Sequence, residues 1–369
     1  MPAVTVMVKP VSGACNMRCK YCFYADEMAR RGQGIYPAMD AEMLETLVRR
    51  VMVYADGQAT FTFQGGEPTL AGVDFFRRLL KLQAQYNNRG IRVQNAVQTN
   101  GLELSDELIA LFAENRFLIG VSLDGCEAAH DHLRRDAKGE GTFRRVRNNV
   151  LRLLRAGVDT NILCVVNGEV AARADAVLDA LQGFEYLQFI PCMDGMDGTP
   201  GPSPLTDEAY GAFLQAAFER YERAFYRGEM LSIRNFDNLL GMLLGMPPES
   251  CAMRGVCSVN FLVESTGDVY PCDFYALDEW KLGNLREKSL RQMARGDVGQ
   301  QFFETSLPVP DACRACPVYP LCRNGCRRYR LPYLGEAPGK NVLCGAYRSF
   351  FDYAGERLVL LARAMRGGR

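Results

Sequence analysis

The chain has 369 residues, and its 43 Lys and Arg residues balance its 43 Asp and Glu residues, so the formal net charge is zero. This balance excludes a general attraction to nucleic acids or membranes. No segment has the pattern of a secretion signal or a membrane span, which predicts a cytoplasmic protein. In that compartment, the fourteen cysteines favour metal binding over disulfides.

The first half of the chain alternates between strand and helix patterns. Such alternation predicts parallel βαβ units with right-handed crossovers. Six units are too few for a closed eight-stranded barrel, and an open doubly wound sheet is the alternative. The predicted strands are 5–9, 60–63, 91–98, 117–123, 160–166 and 186–191, and the predicted helices are 40–54, 74–86, 105–114, 142–156 and 171–181.

The pattern changes after the sixth strand. Residues 194–204 are rich in Gly and Pro and predict a loop, and Thr206 can cap a helix that runs to about Arg227. Eight cysteines fall between Cys251 and Cys344, where regular structure is limited to a hairpin at 261–270. A segment so poor in apolar periodicity needs metal sites to hold it together. A helix at 349–365 ends the chain.

Cys15, Cys19 and Cys22 follow the first strand at CxxxCxxC spacing, far from the next cysteine, Cys126. A [4Fe–4S] cluster takes four thiolates, so three in one loop predict a cluster with one iron open to an exogenous ligand. A zinc loop or a chance group of buried thiols is the alternative. With its aromatic residues, the segment CNMRCKYCFY resembles the signature loop of the radical S-adenosylmethionine (SAM) superfamily. There, the amino and carboxylate groups of SAM chelate the open iron.

A second polar segment, Gln64-Gly65-Gly66-Glu67-Pro68, follows the second strand directly. Its glycines let the backbone approach a ligand closely, and its glutamate can accept a hydrogen bond from an ammonium group. Alone, the segment could equally be a tight turn. Beside the cysteine loop it resembles the GGE loop of the superfamily, which binds the SAM amino group.

The resemblance implies further roles around SAM. Ser122 would meet the ribose, Arg134 the carboxylate and Met193 the adenine, while Tyr21 and Asp124 would complete the cofactor site. Tyr24 and Gln64 would contact the substrate. A solvated strand end and a core methionine are the alternatives for these positions. The superfamily fold, a partial (β/α)6 barrel, matches the count of six units.

The C-terminal cysteines resemble the SPASM domain, an extension of radical SAM enzymes that holds two auxiliary [4Fe–4S] clusters. By this resemblance, the first cluster binds Cys251, Cys257, Cys272 and Cys326, and the second binds Cys313, Cys316, Cys322 and Cys344. Zinc is the alternative metal, because it also accepts four thiolates. Cys164 is predicted to be a core residue, and no function is predicted for Cys126 or Cys192.

The segments YPCDFY at 270–275 and WKLGN at 280–284 closely resemble the anaerobic sulfatase-maturating enzymes. These oxidise a Cys or Ser in a sulfatase peptide of the Cys/Ser-x-Pro-x-Arg type to Cα-formylglycine. The resemblance implies a barrel at residues 1–235, a SPASM domain at 236–348 and a C-terminal helix at 349–369. It also implies three [4Fe–4S] clusters, SAM, and a reductant such as flavodoxin or ferredoxin.

The mechanism implied is hydrogen abstraction from the substrate Cβ by a 5′-deoxyadenosyl radical. Asp273 then removes a proton as general base, and the second electron leaves to an auxiliary cluster. Proximity to cluster thiolates predicts a raised pKa for Asp273.

One alternative function is a maturase that forms thioether or carbon–carbon crosslinks in a precursor peptide. The early position of Cys15 disfavours this function, because many such enzymes begin with a leader-binding domain. The other is an electron carrier or zinc scaffold.

Overall fold

The computed structural model describes residues 3–334 and 338–367. Its strands are β1 (Val4–Val8), β2 (Gln58–Phe63), β3 (Arg92–Thr99), β4 (Leu118–Ser122), β5 (Thr160–Val166), β6 (Tyr186–Pro191), β7 (Ser232–Ile233), β8 (Leu262–Val263), β9 (Asp268–Tyr270) and β10 (Gly283–Asn284).

The helices follow the strands in the expected alternation. They are α1 (Phe23–Ala29), α2 (Ala41–Tyr54), α3 (Val73–Tyr86), α4 (Asp106–Glu114), α5 (Glu127–Leu133), α6 (Phe143–Arg155), α7 (Gly168–Ala172), α8 (Ala174–Ala180), α9 (Asp207–Arg227), α10 (Arg234–Leu243), α11 (Leu290–Arg295), α12 (Asp297–Glu304), α13 (Asp311–Arg314), α14 (Tyr319–Cys322) and α15 (Cys344–Gly367).

Two compact units interleave along the chain. The first comprises the residues up to Ser122, Arg134–Thr160 and Ser258–Phe302. The second comprises Leu123–Leu133, Asn161–Cys257 and the described residues from Phe303 onwards. The predicted domain bounds at residues 235 and 348 stay a prediction.

In the first unit, β1 is the centre from which the sheet grows in both directions. On one side β1, β2, β3 and β4 pair in parallel. On the other side β8 pairs in parallel with β1, and β9 and β10 continue antiparallel. Helix α2 shows how a crossover forms: the Asp40 side chain accepts the Met43 N–H at 2.7 Å, and the apolar face, which includes Leu47 and Val51, is fully buried. Because β8, β1, β2, β3 and β4 run parallel, their carboxyl ends lie at the same edge of the sheet.

In the second unit, β5, β6 and β7 pair in parallel. Helices α9 and α15 pack along each other, with the rings of Phe218 and Phe350 5.9 Å apart. Thr206 caps α9 by accepting the Ala209 N–H, and Gly228 ends it in the left-handed conformation at φ 69°. The predicted bounds of β5 and β6 are confirmed, and α9 was predicted with its cap.

Two predicted helices differ in the structure. The helix predicted at 171–181 is two short helices, because Arg173 has non-helical dihedrals of φ −118° and ψ 31° between them. The last helix begins at Cys344 rather than 349, because the Asp207 carboxylate accepts the Ala346 N–H at 3.0 Å. That partner is distant in sequence, so local propensity does not reveal the start.

Within residues 3–334 and 338–367, no helix is both long enough and apolar enough to cross a bilayer.

Candidate active site

The cysteine loop leaves the carboxyl end of β1 and runs into α1. Cys15 accepts hydrogen bonds at its sulfur from the Met17 N–H at 3.4 Å and from the Asn100 side-chain amide at 3.6 Å. Burial raises the pKa of the Cys15 thiol, and the charges of Glu67 and Cys22 act in the same direction, while these two donors oppose the shift. Amide donors aimed at a sulfur suit a thiolate that binds iron.

The loop at 64–67 is packed directly against the cysteine loop. The Glu67 N–H donates to the Ala14 carbonyl at 2.8 Å. The Glu67 carboxylate is buried and accepts hydrogen bonds from the Thr69 and Thr99 hydroxyls and, at 2.7 Å, from the Asn100 N–H. The side chain therefore fastens the loop to the end of β3, and binding of an ammonium group by Glu67 stays a prediction.

Gly66 is where the close approach requires glycine. Its φ is +61°, and a Cβ there would lie 2.4 Å from the Ala14 carbonyl oxygen and 2.7 Å from the Ser12 carbonyl oxygen. Both neighbours are backbone, so neither can move without displacing the cysteine loop.

We therefore expect Gly66→Ala to weaken SAM binding at least tenfold, which equilibrium dialysis with labelled SAM measures. Gly72→Ala is the matched control: Gly72 also has a positive φ, +80°, but open space around its missing Cβ. The control should lose about 1–3 kcal/mol of unfolding free energy to backbone strain and keep its SAM affinity. Equal SAM affinities in the two variants would contradict the close packing of the two loops.

Two of the predicted cofactor-binding residues, Arg134 and Tyr21, lie in contact, and Arg134 also reaches Cys19. The Arg134 Nη1 lies 3.7 Å from the Cys19 sulfur, and its guanidinium stacks 5.3 Å from the centre of the Tyr21 ring. Arg134 is buried, and its carbonyl accepts the Thr142 hydroxyl. A buried guanidinium next to the cysteine loop fits the predicted contact with a carboxylate.

The remaining predicted SAM contacts fall in both units. Ser122 ends β4 and accepts a hydrogen bond from the Gln98 side chain at 3.2 Å. Asp124 is fully buried and its carboxylate accepts the Val165 N–H at 2.9 Å, which gives it a structural partner within the second unit. Met193 lies two residues beyond the end of β6 and is half-buried. Their contacts with a cofactor stay predictions.

Asp273, Gln64 and Tyr24 form one hydrogen-bonded group in the first unit. The Gln64 side-chain amide donates to Asp273 Oδ2 at 3.1 Å and to the Tyr24 hydroxyl at 2.9 Å. The pKa of Asp273 is raised, in the predicted direction, but the largest cause is burial rather than the predicted thiolate charges. The Cys272 thiol in fact hydrogen-bonds Asp273 Oδ1 at 3.5 Å and lowers that pKa.

A buried charge network holds this group in place. The Lys9 ammonium lies 3.4 Å from the Glu264 carboxylate, 3.8 Å from the Glu27 carboxylate and 5.0 Å from the centre of the Tyr24 ring. Arg31 binds Glu264 at 2.9 Å. With ions buried on both sides, removal of one partner leaves an uncompensated charge.

Glu27 connects this network to the turn that bears Asp273. It accepts the Ala276 N–H at 2.8 Å, just beyond the 3₁₀ turn Asp273–Tyr275. Burial raises the pKa of Glu27 to about 7. Since Tyr24 and Glu27 both lie on α1, the network fixes the Asp273 turn against the helix that follows the cysteine loop.

In the second unit, Cys251 and Cys257 lie close enough to Cys326 to change the pKa of its thiol. Burial raises the pKa of Cys326 to about 12, and the charges of Cys251 and Cys257 add to the shift. The Cys326 sulfur accepts the Arg328 N–H at 3.4 Å, as a cluster sulfur can. Cys272, the fourth predicted ligand, belongs to the first unit.

The other four C-terminal cysteines, Cys313, Cys316, Cys322 and Cys344, line one cavity of about 200 Å³. Burial raises the pKa of Cys322 to about 11, and the charges of the other three add to that shift. Four thiols around a single cavity fit the predicted closed [4Fe–4S] site. Within the described residues, no three His, Cys, Asp or Glu side chains converge on one point for a single metal ion. A cluster does not require this, because each thiolate binds a different iron.

Arg330 is a site residue that the sequence does not reveal. It is buried beside Cys257, Cys326 and Cys313, and its charge favours their thiolate forms, while burial lowers its own pKa. Its guanidinium also donates to carbonyls of the cysteine-bearing loops, including Ser306 at 3.2 Å. Lys9 was missed for the same reason: it stands outside any recognisable spacing, and only the fold brings it to the site.

Residues 10–181 match the model of the radical SAM superfamily, and residues 251–317 match that of an iron-sulfur cluster-binding domain named SPASM. The chain is 40% identical to a cysteine-type anaerobic sulfatase-maturating enzyme of Clostridium novyi, over 99% of each chain.

More distant and structural similarities agree with these. The chain is 33% identical to a serine-type anaerobic sulfatase-maturating enzyme of Klebsiella aerogenes, over 94% of this chain and 84% of that one. It also resembles the solved structure of native anSMEcpe with bound AdoMet and Cp18Cys peptide. The TM-score is 0.94 and the identity 37%, over 99% of this chain and 100% of the other.

Proposed function

Because the chain belongs to the anaerobic sulfatase-maturating enzymes, a family of radical SAM enzymes, we propose that it oxidises a cysteine of a sulfatase polypeptide to Cα-formylglycine without O2. Family membership confirms the predicted fold class, a partial (β/α)6 barrel followed by a SPASM domain. It also confirms the predicted cofactors, [4Fe–4S] clusters and SAM. The site residues and the total of three clusters remain part of the proposal.

Cysteine is the proposed target because the similarity to cysteine-type relatives is greater. Three of them are 37 to 40% identical to this chain and are covered over 99% of their length. The serine-type relatives are 30 to 33% identical and are covered over 84 to 88%. This difference across the whole chain is the observation on which the choice of substrate rests.

Each cofactor has residues that suit it. Cys15, Cys19 and Cys22 would hold the cluster that chelates SAM, with Arg134 next to them for the SAM carboxylate. When bound there, SAM supplies a carbon radical that removes a hydrogen atom from the substrate. The eight C-terminal cysteines would hold two further clusters with every iron ligated.

The chain's own residues would handle the proton. Asp273 accepts the proton of the substrate thiol as general base, and burial, which raises its pKa, suits it to that task near neutral pH. Gln64 orients the carboxylate through Oδ2, and Tyr24 in turn holds the Gln64 amide. Asp273 lies in the turn after β9, Gln64 follows β2, and Tyr24 lies at the start of α1. The buried ion pairs of Lys9 with Glu27 and Glu264 hold these segments together. Loss of the hydrogen atom, the thiol proton and one further electron, which an auxiliary cluster would accept, gives a thioaldehyde, and water hydrolyses this to the aldehyde with release of hydrogen sulfide.

The electron supply is proposed to be a flavodoxin or a ferredoxin, and the proposed location is the cytoplasm.

Anaerobic incubation with dithionite, SAM and a synthetic Cys-x-Pro-x-Arg peptide tests the function. We expect an aldehyde that reacts with a hydrazide probe, and a lower yield from the matched Ser-x-Pro-x-Arg peptide. SAM cleavage accompanied by loss of two hydrogens without an aldehyde would support a crosslinking maturase instead. A higher yield from the serine peptide would reverse the choice of substrate.

A further inference from the structure

The surface around the cysteine loop is much more basic than the chain as a whole. The chain has no net charge, yet residues 18–20 and 134–147 together contain eight Arg or Lys residues and only two Asp or Glu residues. We call these two segments the basic rim. A concentration of one sign on a neutral chain focuses the electric field at that place.

The two segments of the basic rim form one continuous surface in the first unit. The Arg18 N–H donates to the Arg135 carbonyl at 2.7 Å, and the Ala137 N–H donates to the Asn16 carbonyl at 3.2 Å. Met17 and Asp136 form an antiparallel bridge between these bonds. The segment at 134–147 is thus attached by its backbone to the loop that bears Cys15, Cys19 and Cys22.

Six of the eight positive charges of the basic rim face solvent, whereas Arg134 is buried and Arg135 is partly buried. Arg18, Lys20 and Lys138 are exposed, and so are Arg144 and Arg147 at the start of α6. Asp136 is buried and is paired with Arg145 at 2.6 Å, so that Glu140 is the exposed carboxylate of the two segments. A partner approaching the cysteine loop from solvent therefore meets a positive surface.

We propose that the basic rim is the docking surface for a small acidic electron-carrier protein of the flavodoxin or ferredoxin kind. This inference rests on the proposed function, in which the N-terminal cluster must first be reduced by one electron from outside before SAM can be cleaved. The carrier is oxidised by one electron and the cluster is reduced by one. Cys19 lies between Arg18 and Lys20 in sequence, so a carrier bound to these cations sits over a ligand of that cluster.

Charge explains both the choice of partner and its transient binding. Complementary charge steers association and raises on-rates by about 10 to 10³-fold, and the effect falls as salt screens the charges. Exposed ion pairs add little affinity once formed. An electron carrier needs this combination, because it must bind quickly, transfer one electron and leave.

The double variant Lys20→Glu/Lys138→Glu tests the proposal. Both side chains are exposed. The control is Arg78→Glu/Lys81→Glu, which makes the same change in charge on exposed positions of α3 in the same unit. The holoenzyme is mixed with a reduced bacterial flavodoxin, cluster bleaching is followed by stopped-flow absorbance, and binding of the oxidised flavodoxin is measured by calorimetry at low and high salt.

We expect wild-type enzyme and the control to be reduced at the same salt-sensitive rate. The rim variant should be reduced about tenfold more slowly at low salt, with weaker flavodoxin binding and a smaller dependence on salt. Equal rates in the rim variant and the control would overturn the proposal.

Dithionite separates this inference from the function itself, because this small reductant needs no docking surface. If the wild-type enzyme forms aldehyde with dithionite and the rim variant does so equally well, the function holds and any loss with flavodoxin belongs to docking. If the wild-type enzyme forms no aldehyde with either donor, the proposed function fails, whatever the flavodoxin binding.

Discussion

Replacement of Asp273 by asparagine is expected to separate SAM cleavage from aldehyde formation. Asparagine keeps the shape of the side chain, and its carbonyl oxygen can still accept the hydrogen bond that Gln64 donates to Asp273 at 3.1 Å. It has no basic oxygen to take the thiol proton. Aldehyde yield should therefore fall about 10²-fold or more, the usual range for loss of a general base, while 5′-deoxyadenosine is still formed.

The ratio of 5′-deoxyadenosine to aldehyde, both measured by chromatography, distinguishes three roles for Asp273. A large rise in the ratio with unchanged iron content supports the base. A parallel loss of both products, with loss of iron, would mean that Asp273 supports the neighbouring ligand Cys272. Tyr24→Phe is the companion variant: it removes the hydroxyl that accepts the Gln64 amide and should lower the aldehyde yield less, because Asp273 remains.

The second large effect concerns the cysteine loop. Replacement of Cys15, Cys19 and Cys22 by alanine should abolish SAM cleavage, because only this loop is expected to leave an iron open to SAM. Iron should fall from about twelve to about eight atoms per chain, since each [4Fe–4S] site holds four irons and two sites stay intact. Iron analysis and Mössbauer spectroscopy on anaerobic protein measure this.

The control for that variant is Cys126→Ala/Cys192→Ala, which removes thiols that have no assigned ligand role. It should keep all its iron and its SAM cleavage. Residual 5′-deoxyadenosine from the triple variant would show that another loop binds SAM. A wild-type plateau near four irons, with zinc in the remaining sites, would show that the C-terminal cysteines bind zinc.

Local patterns account for what could be predicted from the sequence. The CxxxCxxC spacing and the glycines at 65 and 66 are contiguous signals, and the structure places both loops in contact, as expected. The strands β5 and β6 match their predicted bounds because each is a short β-rich run with clear flanking signals. Short helix α1 was missed, since seven residues hold too few turns to show a periodicity.

What could not be predicted depends on pairing between distant parts of the chain. The segment Ser258–Phe302 belongs to the first unit because β8 pairs with β1, and no local sequence pattern indicates that β1 is the pairing partner of β8. The ion pair between Lys9 and Glu264 is another example. Burial, the largest cause of the raised pKa of Asp273, likewise depends on the fold rather than on a local pattern, while the effect of cluster thiolates on that pKa stays a prediction.

The proposed removal of a hydrogen atom from the substrate Cβ is tested most directly with a Cys-x-Pro-x-Arg peptide that carries deuterium on the cysteine Cβ. The peptide is incubated with the wild-type enzyme, SAM and dithionite under anaerobic conditions. We predict that each aldehyde formed is matched by one 5′-deoxyadenosine carrying one deuterium, as measured by mass spectrometry. Deuterium-free 5′-deoxyadenosine, or a deuterated product without any aldehyde in the peptide, would contradict the account.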